Sequence, residues 1–263
     1  MKSRFNNTAI FPTALHRKTS EMVKDYFSAF SIVDTFLLVN SCARGKAVPE
    51  SDLDFAVLVG PNTSLTEQND LEQRWLSYAT TNAGIIHYKK SHRFAQIHLD
   101  IIDGNYVPRV WDDGGGPDYF EVEIGNQIAY SVPLSNEGSY FQQLKSRWLP
   151  HYGEELRGQR FSMAKEACQN DLEHIPFFVK RGLYFQAFDR LYKAFQEFLQ
   201  TLFIKHKMYP IAYNKWIKEQ METLLQLPGL YQQLPKIISV TDIESNEVNE
   251  KARLLHGLLN EYG

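Results

Sequence analysis

The spacing of apolar residues predicts short helices alternating with strands over the first half of the chain. Apolar residues recur at helical spacing over residues 20–30, and the short apolar run 35–39 that follows predicts a buried strand. A second strand is predicted over Leu53–Val59, where a Gly-Pro-Asn turn ends it. Two more strands are predicted at residues 84–90 and 94–103. The pattern therefore indicates an α+β arrangement with a mixed sheet flanked by helices.

The segment after the second predicted strand contains a pattern typical of the first residues of a helix. Ser64 and Glu67 have the spacing of a capping box, in which the Ser hydroxyl accepts a hydrogen bond from the backbone N–H of the Glu. This spacing predicts a helix over residues 65–81.

The second half of the chain has a different pattern. Aromatic and aliphatic residues recur every three or four positions over residues 188–203, as in a long amphipathic helix. Residues 215–225 and 247–260 also favour helix. Because prolines and glycines concentrate between residues 135 and 155, we expect two domains. Residues 1–140 form the mixed α/β part, and residues 141–263 form an α-helical bundle.

Composition narrows the class of protein. The 263 residues are 43% hydrophobic and 22% charged, which is typical of a folded globular chain. The net charge of −3 offers no basic field for duplex nucleic acid. Two cysteines are too few for a disulfide framework. The sequence shows neither a signal peptide nor an apolar stretch long enough to span a membrane, so we expect a cytoplasmic protein without a membrane partner.

Two carboxylates mark the start of the second strand. Asp52 and Asp54 are two residues apart, so both project from the same strand face. Hard oxygen ligands suit Mg²⁺, which completes its coordination with water and substrate phosphates. A third carboxylate on the same face, Asp100 in the later apolar strand, would allow a site for two metal ions about 3.5–4 Å apart.

The choice of Asp100 depends on strand parity. Asp100 lies between Leu99 and Ile101, so it projects away from the face that those residues bury. Asp103 has the opposite parity and is the main alternative. His98 shares the face of Asp100, where it either tunes that carboxylate or is an ordinary strand residue.

A polar turn precedes the acidic strand. The hydroxyl of Ser41, the backbone N–H groups of the turn and the guanidinium of Arg44 are groups that bind phosphate oxygens. A different turn, the glycine-rich segment 112–118, lacks the Lys-Ser or Lys-Thr of a phosphate loop. We expect its aspartates to be solvated turn residues.

These motifs together carry a resemblance to a known family. Ser41-x-Ala-Arg-Gly45, then Ser51-Asp-Leu-Asp54 and a later apolar-Asp-apolar strand resemble the nucleotidyltransferase superfamily that includes DNA polymerase beta. With the helical second half, the chain looks most like bacterial two-domain antibiotic nucleotidyltransferases, such as the kanamycin, streptomycin and lincosamide nucleotidyltransferases. One departure is Asn40, which stands where the family usually has Gly; Asn tolerates left-handed backbone better than most residues.

The resemblance implies a nucleotidyltransferase fold followed by a helical domain that closes over the nucleotide. Asp52, Asp54 and Asp100 are then the catalytic and metal-binding residues, for two Mg²⁺ ions. The nucleotide contacts implied by the family motif, together with two assigned by position in the helical half, are Ser41, Arg44, Gly45, Ser51, Tyr213 and Lys215.

The implied activity is adenylyl transfer, with ATP or another nucleoside triphosphate as co-substrate. A nucleoside monophosphate, AMP foremost, moves to a hydroxyl of an acceptor such as an aminoglycoside-like small molecule, and pyrophosphate leaves. Two alternatives stay open: a toxin-antitoxin type of nucleotidyltransferase that modifies a protein or RNA, and a nucleotide-binding interaction module without transfer activity. The acceptor, the preferred nucleotide and the oligomeric state are not encoded in any motif.

Overall fold

A computed structural model of the chain describes residues 9–110 and 112–263. It has a mixed α+β fold, in which helices predominate and four strands form one mixed sheet. The predicted α+β class is confirmed at this level. Within the described ranges, every helix is too short or too polar to cross a lipid bilayer.

The described residues form two compact units. The first contains the residues up to Tyr106 together with Glu123–Leu149, and the second contains Val107–Val122 and Pro150–Gly263. Each unit is described by itself below. The division between residues 140 and 141 stays a prediction from the sequence.

The first unit contains the whole sheet. In chain order its elements are α1 (Ala14–Phe27), β1 (Val33–Leu38), α2 (Asn40–Ala43), β2 (Leu53–Val59), α3 (Leu65–Thr81), α4 (Ala83–Lys89), β3 (Ile97–Ile102), the end of α5 (Phe120–Ile124) with a π turn (Gly125–Ala129), β4 (Val132–Pro133) and α6 (Ser139–Trp148). The residues of α5 up to Val122 belong to the second unit.

The sheet has the strand order β3-β2-β1-β4. β1 is antiparallel to both of its neighbours, whereas β2 and β3 run parallel. β2 matches the predicted strand at both ends, and the predicted helix at residues 65–81 is α3, with both hydrogen bonds of the capping box between Ser64 and Glu67. β4 is a two-residue edge strand, which is too short to show an alternating pattern; at this edge the missing N–H of Pro133 is tolerated.

One face of the sheet forms the core of this unit. Alternate residues of β2, beginning with Leu53 and Phe55, pack on α1, α3 and α4, where Phe27, Trp75 and Tyr88 are buried. Alternation in a strand sends every second side chain to the opposite face. Asp54 within β2, and Asp52 just before its first residue, therefore project toward the opposite face of the sheet.

The strand predicted at residues 84–90 is wrong, because this segment is the helix α4. The Asn82 side chain accepts hydrogen bonds from the backbone N–H groups of Gly84 and Ile85 and thereby caps the helix. Ile85 and Tyr88, three residues apart, are both buried against the core. Helical spacing places both on one face, so packing selected the helix over the strand. The strand predicted at residues 94–103 is shorter and corresponds to β3.

The second unit is helical. Its elements are α7 (Glu154–Lys180), α8 (Tyr184–Lys205), α9 (Ile217–Glu219) with a π turn (Gln220–Leu224), α10 (Pro228–Tyr231), α11 (Leu234–Ile238) and α12 (Glu247–Tyr262). The predicted helices at residues 188–203, 215–225 and 247–260 fall on α8, on α9 with its π turn, and on α12. α7, α8 and α12 pack on one another, and their shared faces form the core of this unit.

Candidate functional site

Three predicted carboxylates lie on one face of the sheet. The parallel register pairs Asp54 with His98 and Ala56 with Asp100. Residues paired in register point to the same side of the sheet, and so do residues two apart on one strand. The face therefore carries Asp52, Asp54, His98 and Asp100 together, opposite the face that packs on the helices.

The register also discriminates between the two candidates for the third carboxylate. With strands about 4.8 Å apart and about 3.3 Å per residue, the Cα atoms of Asp54 and Asp100 are about 8 Å apart. Asp103 follows the last residue of β3, and its carboxylate accepts a hydrogen bond from the backbone N–H of Asn105 at 2.8 Å. The sheet geometry thus places Asp100, and not Asp103, on the face of Asp54.

His98 contacts Asp52 on this face. Its Nε2 atom lies 3.4 Å from Oδ2 of Asp52, and the two side chains are 60% and 40% exposed, respectively. Solvent therefore reaches the acidic face beside this contact. The strand pattern relates His98 to Asp100, whereas in the structure its ring lies against Asp52.

The turn before β2 is built on a left-handed residue. Asn40 has φ 57° and begins α2, a single turn that holds Ser41. The backbone N–H of Val39 donates to the carbonyl of Asp54, and the thiol of Cys42 approaches the carbonyl of Asp52 at 3.9 Å. These contacts place the Ser41 turn next to the acidic end of β2.

We expect substitutions at Asn40 to change the free energy of unfolding according to how well the new residue adopts left-handed backbone. Asn40→Gly should change the free energy of unfolding by less than about 0.5 kcal/mol, because glycine adopts positive φ without steric cost. Asn40→Ala should lower it by about 1 kcal/mol, because its Cβ crowds the following carbonyl in this conformation. Urea unfolding of the full chain measures both. Equal losses in the two variants would contradict the steric explanation.

The other predicted nucleotide contacts in this unit differ in exposure. Arg44 is buried, with 9% of its surface exposed, and Ser41 is half-buried. Gly45 has φ 67°, and a Cβ added there would lie 2.9 Å from Cδ1 of Ile10. The hydroxyl of Ser51 accepts a hydrogen bond from the backbone N–H of Val48 at 2.9 Å. Ser51 therefore stabilises the loop that leads into Asp52.

His16 and Tyr88, which the sequence analysis did not identify, stabilise this loop through hydrogen bonds. The carbonyl of Ser51 accepts hydrogen bonds from Nε2 of His16 at 2.9 Å and from the hydroxyl of Tyr88 at 3.2 Å. His16 is oriented in turn by Thr13, whose hydroxyl lies 2.7 Å from Nδ1. The His16 and Tyr88 rings pack edge to face. No short sequence motif connects residues so far apart along the chain, so only the fold reveals this support for the residue before Asp52.

Cys42, in the turn before β2, is not a reactive cysteine. Burial first, and then the charges of Asp54 and Asp52, raise the pKa of the Cys42 thiol to about 12. The thiol therefore stays protonated at neutral pH, and the thiolate is the nucleophilic form of cysteine. Cys42 fills space beside the two aspartates.

Tyr213 and Lys215 belong to the second unit. Tyr213 is 2% exposed, and its hydroxyl has no hydrogen-bond partner among the residues that the structure describes. Burial first, and then the charges of Glu121 and Asp118, raise its pKa well above the ordinary value. Lys215 is exposed. Its backbone carbonyl accepts a hydrogen bond from the Gln220 side chain at 3.0 Å.

Comparison with known proteins adds no family to this geometry. No protein-family model and no curated protein matches the chain. The interpretation of the acidic face therefore rests on its own residues. Over residues 9–110 and 112–263, no three His, Cys, Asp or Glu side chains converge closely enough to hold a metal by themselves. The donor set nevertheless suits Mg²⁺, which binds through one or two carboxylates and completes its coordination with phosphate oxygens and water.

Proposed function

We propose that the protein is a Mg²⁺-dependent nucleotidyltransferase. It transfers a nucleoside monophosphate, AMP from ATP foremost, to a hydroxyl group of an acceptor and releases pyrophosphate. The observation that carries the proposal is the register of β2 and β3, which brings Asp52, Asp54 and Asp100 to one face beside the Ser41 turn. The resemblance of this segment to the nucleotidyltransferase superfamily supports the same activity. The finer architecture, a nucleotidyltransferase domain followed by a helical domain, is part of this proposal.

In this mechanism Asp52 and Asp54 hold the metal. Bound Mg²⁺ supplies charge neutralisation for an in-line displacement at phosphorus. The hydroxyl of Ser41 and the backbone of its turn donate hydrogen bonds to phosphate oxygens and fix the reactive phosphate. Asp100, on the adjacent strand, accepts the proton of the acceptor hydroxyl. Positioning and charge neutralisation therefore account for most of the rate acceleration.

The test is a transfer assay on the full chain. Each of the four nucleoside triphosphates, labelled at the α phosphate, is incubated with Mg²⁺ and a panel of hydroxyl-bearing small molecules, and products are identified by mass spectrometry. We expect a mass increase of one nucleoside monophosphate on an acceptor. Label on a protein or RNA would favour the macromolecular alternative. Mg²⁺-dependent nucleotide binding without any transfer would favour the interaction module, and absence of both would reject the proposal.

A further inference from the structure

The second unit contains a cavity that the proposed function does not use. It has a volume of about 340 Å³ and is bounded by the 112–118 loop, by Met163 and Ala167 on α7, and by Glu197 and Gln200 on α8. Small-molecule sites span roughly 300–1,000 Å³ and have mostly apolar walls with a few polar groups. This space, named here the loop cavity, matches that description at the lower end of the range.

Glu197 is the unusual residue of the loop cavity. Its exposed fraction is 0%, and neither carboxyl oxygen has a hydrogen-bond partner among the residues that the structure describes. It lies on α8 between Phe195 and Phe198, which are both buried. A buried carboxyl without a partner costs folding free energy, because it loses its hydration and gains nothing in exchange. A ligand that satisfies this carboxyl would offset that cost.

The cations around Glu197 already have carboxylate partners. Arg190 of α8 is bound to Asp171 of α7 and to Asp113 of the loop, and Lys193 lies 2.7 Å from Asp189. The guanidinium group of Arg190 packs against the loop at Gly114, and the aliphatic stem of Lys193 packs against it at Gly116. These pairings leave Glu197 without a cation of its own.

Arg160 belongs to a second ion-pair cluster near the cavity, and a further cation, the exposed Arg109, lines the cavity itself. Arg160 donates to both oxygens of Glu121 and to both oxygens of Asp118 at 2.6–2.8 Å. Gln200, on the wall of the cavity, donates its amide N–H groups to the same two carboxylates. Asp118 was predicted to be a solvated turn residue, yet its side chain is only 10% exposed, because it neutralises the buried guanidinium.

The protonation of Glu197 follows from these surroundings. Burial first, and then the charge of Asp171, raise the pKa of Glu197 to about 9, although Arg190 and Lys193 lower it. Without a ligand the carboxyl is therefore neutral at pH 7. A cation that enters the cavity favours the ionised form, because opposite charges attract strongly where water is excluded.

We propose that the loop cavity binds a small organic cation with a primary ammonium group, whose charge pairs with the carboxylate of Glu197. The alkyl part of the ligand packs against apolar wall residues such as Met163 and Ala167. On binding, the ammonium keeps its protons and the Glu197 carboxyl releases one proton to solvent, so a neutral group and a cation become an ion pair and a free proton. The proposal is independent of nucleotidyl transfer.

The experiment uses isothermal titration calorimetry of the full chain with n-butylammonium chloride at pH 7, in two buffers that differ in ionisation enthalpy. We expect binding with release of about one proton per cation, since the free carboxyl is protonated at this pH. The neutral isostere n-butanol should release none and bind more weakly. Absence of n-butylammonium binding, or binding without proton release, would overturn the proposal.

The decisive variant is Glu197→Gln, which nearly preserves shape and removes the ionisable group. We expect its affinity for n-butylammonium to fall at least about tenfold, as for loss of a charge-assisted hydrogen bond, and proton release to disappear. Glu197→Asp should bind more weakly but still release a proton. Glu166→Gln, the same substitution at an exposed position of α7, is the matched control and should behave as the unchanged chain. Unaltered affinity in Glu197→Gln would overturn the proposal.

We expect Glu197→Gln to stay folded, so that weaker n-butylammonium binding reports the loss of the carboxylate and not unfolding. The folded-state pKa of Glu197 is raised from 4.5 to about 9, so the unligated folded chain binds one more proton than the unfolded chain between these values. Its stability therefore falls as pH rises from about 4.5 to about 9. Glu197→Gln lacks this loss and should be at least as stable at pH 7, which thermal unfolding will show.

Discussion

We expect Asp52→Asn and Asp54→Asn each to impair the proposed nucleotidyl transfer severely while the fold persists. An amide nearly preserves the shape of the carboxylate but removes the negative charge that binds Mg²⁺ in the proposed mechanism. Because metal stabilisation of the transition state is worth several kcal/mol, we expect the rate to fall at least about 100-fold. Both side chains are partly exposed at the edge of the core, so circular dichroism should be unchanged.

The same set of variants includes a control at Asp70 and a test of Asp103, the competing candidate for the third carboxylate. Asp70→Asn changes an exposed carboxylate of α3 that pairs with Arg74, and it should keep full activity. Asp100→Asn should also be strongly impaired, while Mg²⁺-dependent binding of a non-hydrolysable ATP analogue persists through Asp52 and Asp54. Normal transfer by Asp52→Asn or by Asp54→Asn would contradict the proposed mechanism. If Asp103→Asn is inactive and Asp100→Asn active, Asp103 is the third carboxylate.

We expect Arg160→Met to destabilise the protein by about 3–5 kcal/mol, because it leaves buried carboxylates without a counter-charge. Arg160 is 3% exposed and Glu121 is fully buried, and the hydroxyl of Tyr152 adds a hydrogen bond of 2.8 Å to Glu121. Although burial opposes it, the bonds to Glu121 and Asp118 raise the pKa of Arg160. The guanidinium is therefore charged at every accessible pH. Urea unfolding of the full chain measures the loss.

A surface arginine of the same helix provides the comparison. Arg157 pairs with Glu154, whose side chain is 63% exposed, and exposed pairs contribute about 0–1 kcal/mol. Arg157→Met should therefore cost less than about 1 kcal/mol. Adding Glu121→Gln to Arg160→Met should recover part of the loss, because it removes one of the unpaired charges. A cost below about 1 kcal/mol for Arg160→Met would show that the cluster is not balanced as the structure indicates.

Local sequence was sufficient wherever one short pattern decides the structure. The apolar run at β2 and the capping box of α3 are each contained within a few neighbouring residues, and both match the structure. The parity of Asp100 in its strand is equally local. These features depend on backbone periodicity and on hydrogen bonds between residues close in sequence, so no distant partner is needed to specify them.

Local sequence failed where two periodicities fit the same residues. Residues 84–90 contain apolar positions compatible with either a strand or a helix, and the cap at Asn82 together with burial of Ile85 and Tyr88 selects the helix. The fourth strand of the sheet is not the predicted segment 84–90 but β4, whose two residues pair with β1. Such choices are made by which surface is available to pack against, and that surface does not exist until the chain folds.

The buried charges of the second unit show the same limit most clearly. The apolar stripe of α8 predicts a helix, but it does not show that Glu197, Gln200 and Thr201 of this helix are buried. The pairing of Arg160 with Asp118 of the loop and Glu121 of α5, some 40 residues earlier, cannot be read from a short window of sequence. The same is true of the finding that Glu197 has no hydrogen-bond partner among the residues that the structure describes. The sequence by itself determined the secondary structure of the acidic segment and the chemistry available there. The tertiary structure alone decided which carboxylates share a face, which are neutralised by arginine and which one is buried without a partner, because charge burial and strand register are set by contacts between residues distant along the chain.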